Sequence, residues 1–308
     1  MSSKNPNANQ SWQDPPSDLP PPVSRRVRLA TGLEYHCLEW NAESDAQHTV
    51  FLIHGFLDLG RSWQPVVESG LGAGLHLVAP DMRGHGLSDR VGPGGYYHFM
   101  DYLADLASLV EQLGREEVSL VGHSMGGSIT SYFAGAFPAQ IKRLALLEGL
   151  GPPEDQTAVP ERVTNWVSAW KRQAHSALKS YADVAEAAKR LQRLDPLLRD
   201  RMATWLVAHS TRELPEGGLC FLHDPLHLTT GPYPYRLEIA ESFWRRIACP
   251  TLFVDGAESF LRHAEVEADR RKSCFAQGQS ALLEGAGHMM MRHRPAELAT
   301  LLQGFLTQ

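Results

Sequence analysis

The stretch Val121-Gly122-His123-Ser124-Met125-Gly126-Gly127 decides how this sequence folds. It closes a nearly continuous apolar run (residues 118–121) and opens a helical pattern (residues 124–137) that Pro138 stops. A turn this tight between strand and helix forces the residue at its apex into a strained backbone conformation. Glycines two residues to either side leave room for the neighbouring strand and helix. A serine at the apex projects its hydroxyl from the turn, at the positive end of the following helix. The G-x-S-x-G pattern in this context makes Ser124 a candidate nucleophile.

Working outward, residues 49–53, 75–79 and 144–147 are further short apolar runs, the texture of strands covered on both faces as in a parallel sheet. Tyr102, Leu103, Leu106, Leu109, Val110 and Leu113 recur at helical spacing, with Gly114 as a C-cap. Residues 23–30 and 33–40 alternate around Thr31-Gly32 and read as an antiparallel hairpin. Strand alternating with helix predicts an open, right-handed α/β sheet. The alternation breaks over residues 152–246, where Val163, Trp166, Val167 and Trp170 form one apolar helical face and Met202, Trp205 and Leu206 suggest another. It resumes with a strand at 251–254, a helix to about residue 271, a strand near 281–283 and a final helix from Pro295. The predicted fold is α/β, a mostly parallel sheet with helices on both faces. Its core (residues 23–151 and 247–308) is interrupted by a helical cap at 152–246, and residues 1–22, rich in Ser, Asn, Gln and Pro, read as a disordered tail.

The chain's 308 residues, 43% hydrophobic, suffice for a sizeable core. A formal charge of −6, with only short pairs such as Arg25-Arg26 and Arg245-Arg246, argues against a nucleic-acid partner. Cys37, Cys220, Cys249 and Cys274 are scattered without metal-like spacing and read as buried thiols in a reducing compartment. The tail lacks a signal peptide's basic start and apolar middle, and no apolar run reaches the ~18 residues of a membrane span. A cytoplasmic protein is expected.

A serine hydroxyl is a weak nucleophile at neutral pH and needs a base. In elbows of this kind an acid and then a histidine follow the serine in the chain. His288, in the small-residue loop Gly285-Ala286-Gly287-His288 between the last strand and the last helix, is that histidine. His293, beside Arg292, Arg294 and Pro295, reads as a surface or helix-start residue. A developing oxyanion needs donors, and the backbone N–H groups of Met125 and Phe56 are the candidates. Phe56 stands in Ile53-His54-Gly55-Phe56, where Gly55 lets the chain turn closely.

The set His54-Gly55-Phe56, Asp81-Met82-Arg83-Gly84-His85-Gly86-Leu87-Ser88-Asp89, Gly122–Gly127 and Gly285–His288 resembles the α/β-hydrolase superfamily, over essentially the whole chain from Val23. Leu147-Glu148-Gly149-Leu150-Gly151-Pro152 and Phe221-Leu222-His223-Asp224-Pro225 look like the serine hydrolase-like esterase group. The resemblance implies that Asp81, Arg83 and His85 belong to a structural turn. It puts the usual acid after the next strand, in Thr251-Leu252-Phe253-Val254-Asp255-Gly256-Ala257-Glu258-Ser259, where Glu258 almost fits. Some relatives carry it instead at the end of the preceding strand, where Glu148 sits. A carboxylate closing Leu144-Ala145-Leu146-Leu147 would be costly to leave unpaired, so Glu148 is favoured, with Glu258 the alternative and Asp255 behind both. A Glu148 that only caps a loop or pairs with an arginine is the competing structural reading.

These residues point to a hydrolase of carboxylic esters, thioesters or lactones acting through an acyl-enzyme, with no cofactor and no metal. His223, Asp224 and His227 could be sketched as a metal site, but the loop context is weak. Trp166, Trp170, Trp205, Phe221 and Trp244 favour a small substrate with an apolar or aromatic group, although the Trp166/Trp170 pair reads first as core. Met289, Met290 and Met291 are expected to pack beneath the catalytic loop. A C–C bond hydrolase of diketones would use the same residues, and a silent binding protein of the same fold is the rival outside enzymology.

Overall fold

The computed structural model describes residues 21–42, 48–174 and 179–308, so nearly all of the expected tail lies outside the described residues. The chain enters through β1 (Val23–Arg28) and β2 (Glu34–Trp40), then β3 (Thr49–Ile53), α1 (Gln64–Glu68), β4 (His76–Pro80), α2 (Phe99–Gln112), β5 (Val118–His123), α3 (Met125–Ala136) and β6 (Ile141–Leu147). Next come α4 (Val159–Ala174), α5 (Val184–Leu194), α6 (Asp200–Ser210), β7 (Thr211–Glu213), β8 (Leu219–Phe221) and α7 (Leu237–Trp244). The chain finishes with β9 (Thr251–Gly256), α8 (Glu265–Lys272), β10 (Gly278–Leu283), α9 (Met290–His293) and α10 (Pro295–Leu306).

Eight strands form one sheet in the order β1-β2-β4-β3-β5-β6-β9-β10, parallel throughout except where β2 meets β1 and β4. The apolar runs are buried on both faces because side chains alternate across the pleat. Phe51, Ile53, Leu120, Leu144 and Leu146 join the core with Leu106 of α2, Phe133 of α3 and Trp244 of α7. Val50, Leu52, Val121, Ala145 and Leu147 meet Val66 of α1, Met290 of α9 and Phe305 of α10. Register then fixes the site. Ile53 stands opposite Gly122, His123 opposite Leu147, and Leu147 opposite Val254, so β3, β5, β6 and β9 end together at one edge.

The segment between β6 and β9 departs from the expectation in two ways. It contains a two-stranded antiparallel sheet, β7 with β8, whose strands of three residues are too short for alternation to reveal. Helix α7, expected within the inserted segment, packs instead on α3: Trp244 is fully buried and its indole N–H donates to Ser131 Oγ at 3.0 Å. Helices α5 and α6 build a small core of their own from Ala187, Met202, Ala203 and Leu206, roofed by Tyr181. All four cysteines are free and buried. Among the described residues, no helix is long and apolar enough to cross a membrane.

The Asp81–Asp89 turn links β2, the chain after β3 and α2. Asp81 accepts from the N–H groups of Gly60 (2.7 Å) and Leu87 (2.9 Å) and faces His36 Nδ1 at 2.8 Å. Arg83 forks onto the fully buried Asp105 of α2, its Nη2 at 2.8 Å, and reaches Asp101 at 2.9 Å; Asp105 also accepts from Tyr35 Oη. Removing one partner of such a pair strands the other's charge in the interior, which costs about 3–5 kcal/mol. Urea unfolding of Arg83→Met is therefore expected to show a loss of that size, and a loss below about 1 kcal/mol would mean the pair behaves as a surface one.

Candidate active site

Ser124 sits between β5 and α3 with φ 52° and ψ −116°, a conformation that costs a non-glycine residue about 1–3 kcal/mol and persists only where its surroundings enforce it. They do so here. The Ser124 N–H donates to Leu147 O (2.9 Å), extending the β5–β6 ladder past the turn, and Ser124 O accepts from Ser128 N (3.1 Å). The first turn of α3 is wedged between two strand ends. A Cβ on Gly126 would lie 2.3 Å from Ile53 O, and one on Gly127 would lie 2.4 Å from the Cα of Gly149. Only glycine fits either place, and the serine between strand and helix is left partly exposed.

One strand over, Glu148 follows β6 with φ 46°, and its N–H donates to Val254 O at 3.0 Å. Its carboxylate is buried and fully engaged. Oε1 accepts from the Gly256 N–H (3.0 Å), while Oε2 accepts from Ser259 Oγ (2.8 Å) and meets His288 Nδ1 at 2.6 Å. Burial alone would raise the Glu148 pKa, but the bonds from His288, Gly256 and Ser259 outweigh it and hold the group below the ordinary carboxylate range. An ionised Glu148 at Nδ1 fixes the proton of a neutral His288 there and leaves Nε2 with a free lone pair. Glu258 is exposed, and its backbone N–H donates to Ala286 O; Asp255 pairs with Lys272 at 2.9 Å. Ser259, beside the position where the resemblance puts the acid, donates to Glu148 instead.

The loop carrying His288 is held on several sides. His288 O accepts from His123 Nε2 at 2.8 Å; burial, and then the nearby His288, push His123 down to about 3, so its ring is neutral and donates. Arg292 of α9 pairs with buried Asp58 (2.8 Å), whose pKa burial would raise but the Arg292 charge lowers. Asp58 in turn belongs to the loop after β3. In that loop a Cβ on Gly55 would come within 3.3 Å of Ser124 Cβ, so the backbone passes directly over the Ser124 turn. Leu57, at φ 58°, donates its N–H to His85 Nε2 (3.2 Å), and the Phe56 ring packs edge-on against His85 and His227. Burial, then neighbouring His227 and His54, hold His85 well below the ordinary histidine range, so it stays neutral and accepts. Met125 opens α3, where backbone N–H groups have no partner within the helix.

A cavity of about 680 Å³ opens beside His288 and Met289, walled by Leu191, Leu197, Leu206, Phe221 and Phe260. Leucine is the commonest residue in its lining, with Phe56, Tyr181, Phe221 and Phe260 beside it. Trp166 and Trp170 pack on Tyr96 and on each other, Trp205 on His209, and Trp244 under α3; of the five aromatic residues singled out, Phe221 alone lines this cavity. Met289 lines it as well, while Met290 and Met291 are core. His223, Asp224 and His227 do not converge: Asp224 caps Leu226 N–H and accepts from Tyr97 Oη, and His227 Nε2 faces Arg83 O. The His293 side chain, expected at the surface or at a helix start, stands just before α10 and is buried, with Nε2 on Asp195 and Nδ1 accepting from Gly287 N–H. Sequence reasoning missed this link, and also the support that His85 and His123 give to the two loops.

Comparison with known proteins agrees with this architecture. A profile of the alpha/beta hydrolase fold matches residues 48–290. The "Serine hydrolase-like protein" of Danio rerio is 30% identical over 179 residues, 57% of this chain and 54% of that protein, so this chain spans about half the length of that relative. A hypothetical protein of Pseudomonas aeruginosa PAO1 superimposes with a TM-score of 0.82 at 25% identity, covering 94% of this chain and 100% of that one. The thioesterase domain from the curacin biosynthetic pathway does so with 0.77 at 26% identity, covering 91% and 98%. With its strand order, its elbow and a profile match over most of its length, this chain belongs to the α/β-hydrolase fold family.

Proposed function

We propose that the protein is a serine-dependent hydrolase of carboxylic esters or thioesters, with Ser124 as nucleophile, His288 as base and Glu148 as the acid that orients it. The observation that carries this reading is the 2.6 Å bond from His288 Nδ1 to a buried, otherwise satisfied Glu148, at the sheet edge from which Ser124 also emerges. His288 Nε2 takes the Ser124 hydroxyl proton as the oxygen attacks the acyl carbon, and Glu148 stabilises the imidazolium. The N–H groups of Phe56 and Met125 receive the oxyanion. Collapse of the tetrahedral intermediate breaks the acyl–oxygen or acyl–sulfur bond, and His288 returns its proton to the leaving group. Water, deprotonated by the same Nε2, then releases the acid and restores Ser124. The chemistry uses side chains and backbone alone. The relative named as serine hydrolase-like and the solved neighbour named as a thioesterase domain support this class of reaction.

The segment from α4 to β8 acts as a cap in this reading, its leucines forming an acyl pocket over His288. Each methylene moved from water into such a pocket is worth about 0.8 kcal/mol. On p-nitrophenyl esters, kcat/KM is expected to rise roughly tenfold from acetyl to butyryl, since two methylenes are added. A flat series would separate the cavity from acyl recognition, and cleavage of a vinylogous diketone without ester turnover would make the protein a C–C bond hydrolase instead.

The choice of acid has its own test. Glu148→Gln should lower kcat by orders of magnitude, up to about 10⁴-fold, the scale of losing the orienting carboxylate in serine proteases. Glu258→Gln should leave kcat within a few-fold of wild type. The reverse pattern, in folded variants, would return the role to the usual position.

A further inference from the structure

Five residues after His288, a second histidine forms a carboxylate pair with the opposite ring orientation. His293 Nδ1 accepts from the Gly287 N–H (3.1 Å), so its proton lies on Nε2, which faces both oxygens of Asp195 at 2.9 and 3.0 Å. Both side chains are nearly buried, 3% and 11% exposed. Asp195 ends α5, in the segment between β6 and β9, and the next residues fold over the loop: a Cβ on Gly287 would lie 3.1 Å from Leu197 Cδ1. The loop's other anchors, His123 on His288 O, Glu258 N–H on Ala286 O and Arg294 on Gly285 O, come from the core. Among the described bonds to this loop's backbone, the one through His293 alone continues into the inserted segment.

We propose that Asp195 and His293 form a latch that positions the His288 loop for proton transfer while the inserted segment is seated. The inference rests on His288 being the base. The mechanism is a matter of tautomers. An imidazole has one ring proton when neutral, and Asp195 keeps it on Nε2, leaving Nδ1 free to accept from Gly287. Without Asp195 the proton is free to move to Nδ1, where it would oppose the Gly287 N–H, donor against donor, and push the loop outward. Gly287 directly precedes His288, so that displacement reaches the base, and a misplacement of ~1 Å near a reacting group can cost about 10²-fold in rate. Asp195 and His293 are thus positioning residues, and unseating the inserted segment disengages the base.

The test compares Asp195→Ala, Asp195→Asn, His293→Ala and His293→Gln in the full chain. It uses kcat and KM on p-nitrophenyl butyrate and the rate of inactivation by a small fluorophosphonate that does not fill the acyl cavity. The latch predicts that Asp195→Ala and His293→Ala each lose roughly 10- to 100-fold in kcat and in inactivation rate, with KM within a few-fold. Asp195→Asn, whose amide oxygen still accepts from Nε2, should recover most of the loss, and His293→Gln, which can accept from Gly287, part of it. The double alanine variant should be no slower than the worse single one, because the two residues act as one unit. Alanine variants that melt normally and keep wild-type kcat would overturn the latch, as would a raised KM at unchanged kcat. If His293→Ala does not fold, the Asp195 pair decides: equal rates for Asp195→Ala and Asp195→Asn would also overturn it. A wild-type protein that the fluorophosphonate does not inactivate would instead remove the serine-hydrolase reading on which the latch rests.

Discussion

The site depends on the close approach of one helix to two strands. The first turn of α3 passes so near the ends of β3 and β6 that no side chain fits at residues 126 and 127, and this contact drives Ser124 into a backbone conformation it would not adopt alone. The cost is local and about 1–3 kcal/mol. It is offset by a sheet whose apolar strands are buried on both faces by α1, α9 and α10 on one side and α2, α3 and α7 on the other. Because β3, β5, β6 and β9 are in register, whatever follows each strand emerges at the same edge.

Loops from that edge do the rest, each fixed by a neutral imidazole or a carboxylate. His85 holds the backbone after Phe56, His123 holds His288 O, and Glu148 holds the His288 ring. The pKa of His123 falls to about 3 and that of His85 lies well below the usual range, mainly because burial disfavours the charged ring. The neutral ring of His85 accepts from the Leu57 N–H on one nitrogen and donates to Arg83 O on the other, so it ties backbone to backbone without adding a charge. Glu148 carries a charge in this arrangement, as the Arg292–Asp58 pair does, and three donors satisfy it.

What the sequence made legible was local. The elbow could be read because strand, turn and helix are contiguous, and Glu148 stood out because a carboxylate closing an apolar run needs a partner. The identity of that partner, 140 positions away, had to be argued from chain order. The Asp195–His293 link spans 98 positions and starts in the inserted segment, so nothing near His293 announced it. The cavity's lining was legible only in part for a related reason. Helical spacing identifies an apolar face but not what covers it, so Trp166 and Trp170 met Tyr96 while leucines from α5 and α6 met the cavity. Helix α7 carried the same ambiguity and proved to be a core helix.

The most direct measurement is a crystal structure of the protein after reaction with a p-nitrophenyl alkylphosphonate, whose tetrahedral phosphorus imitates the acylation intermediate. A serine nucleophile oriented as proposed predicts a bond from Ser124 Oγ to phosphorus. It also predicts one phosphonyl oxygen about 2.7–3.1 Å from the backbone nitrogens of both Phe56 and Met125, His288 Nε2 turned to the leaving-group side, and the alkyl chain among Leu191, Leu197 and Leu206. An adduct on another residue, or a phosphonyl oxygen that faces neither amide, would contradict it.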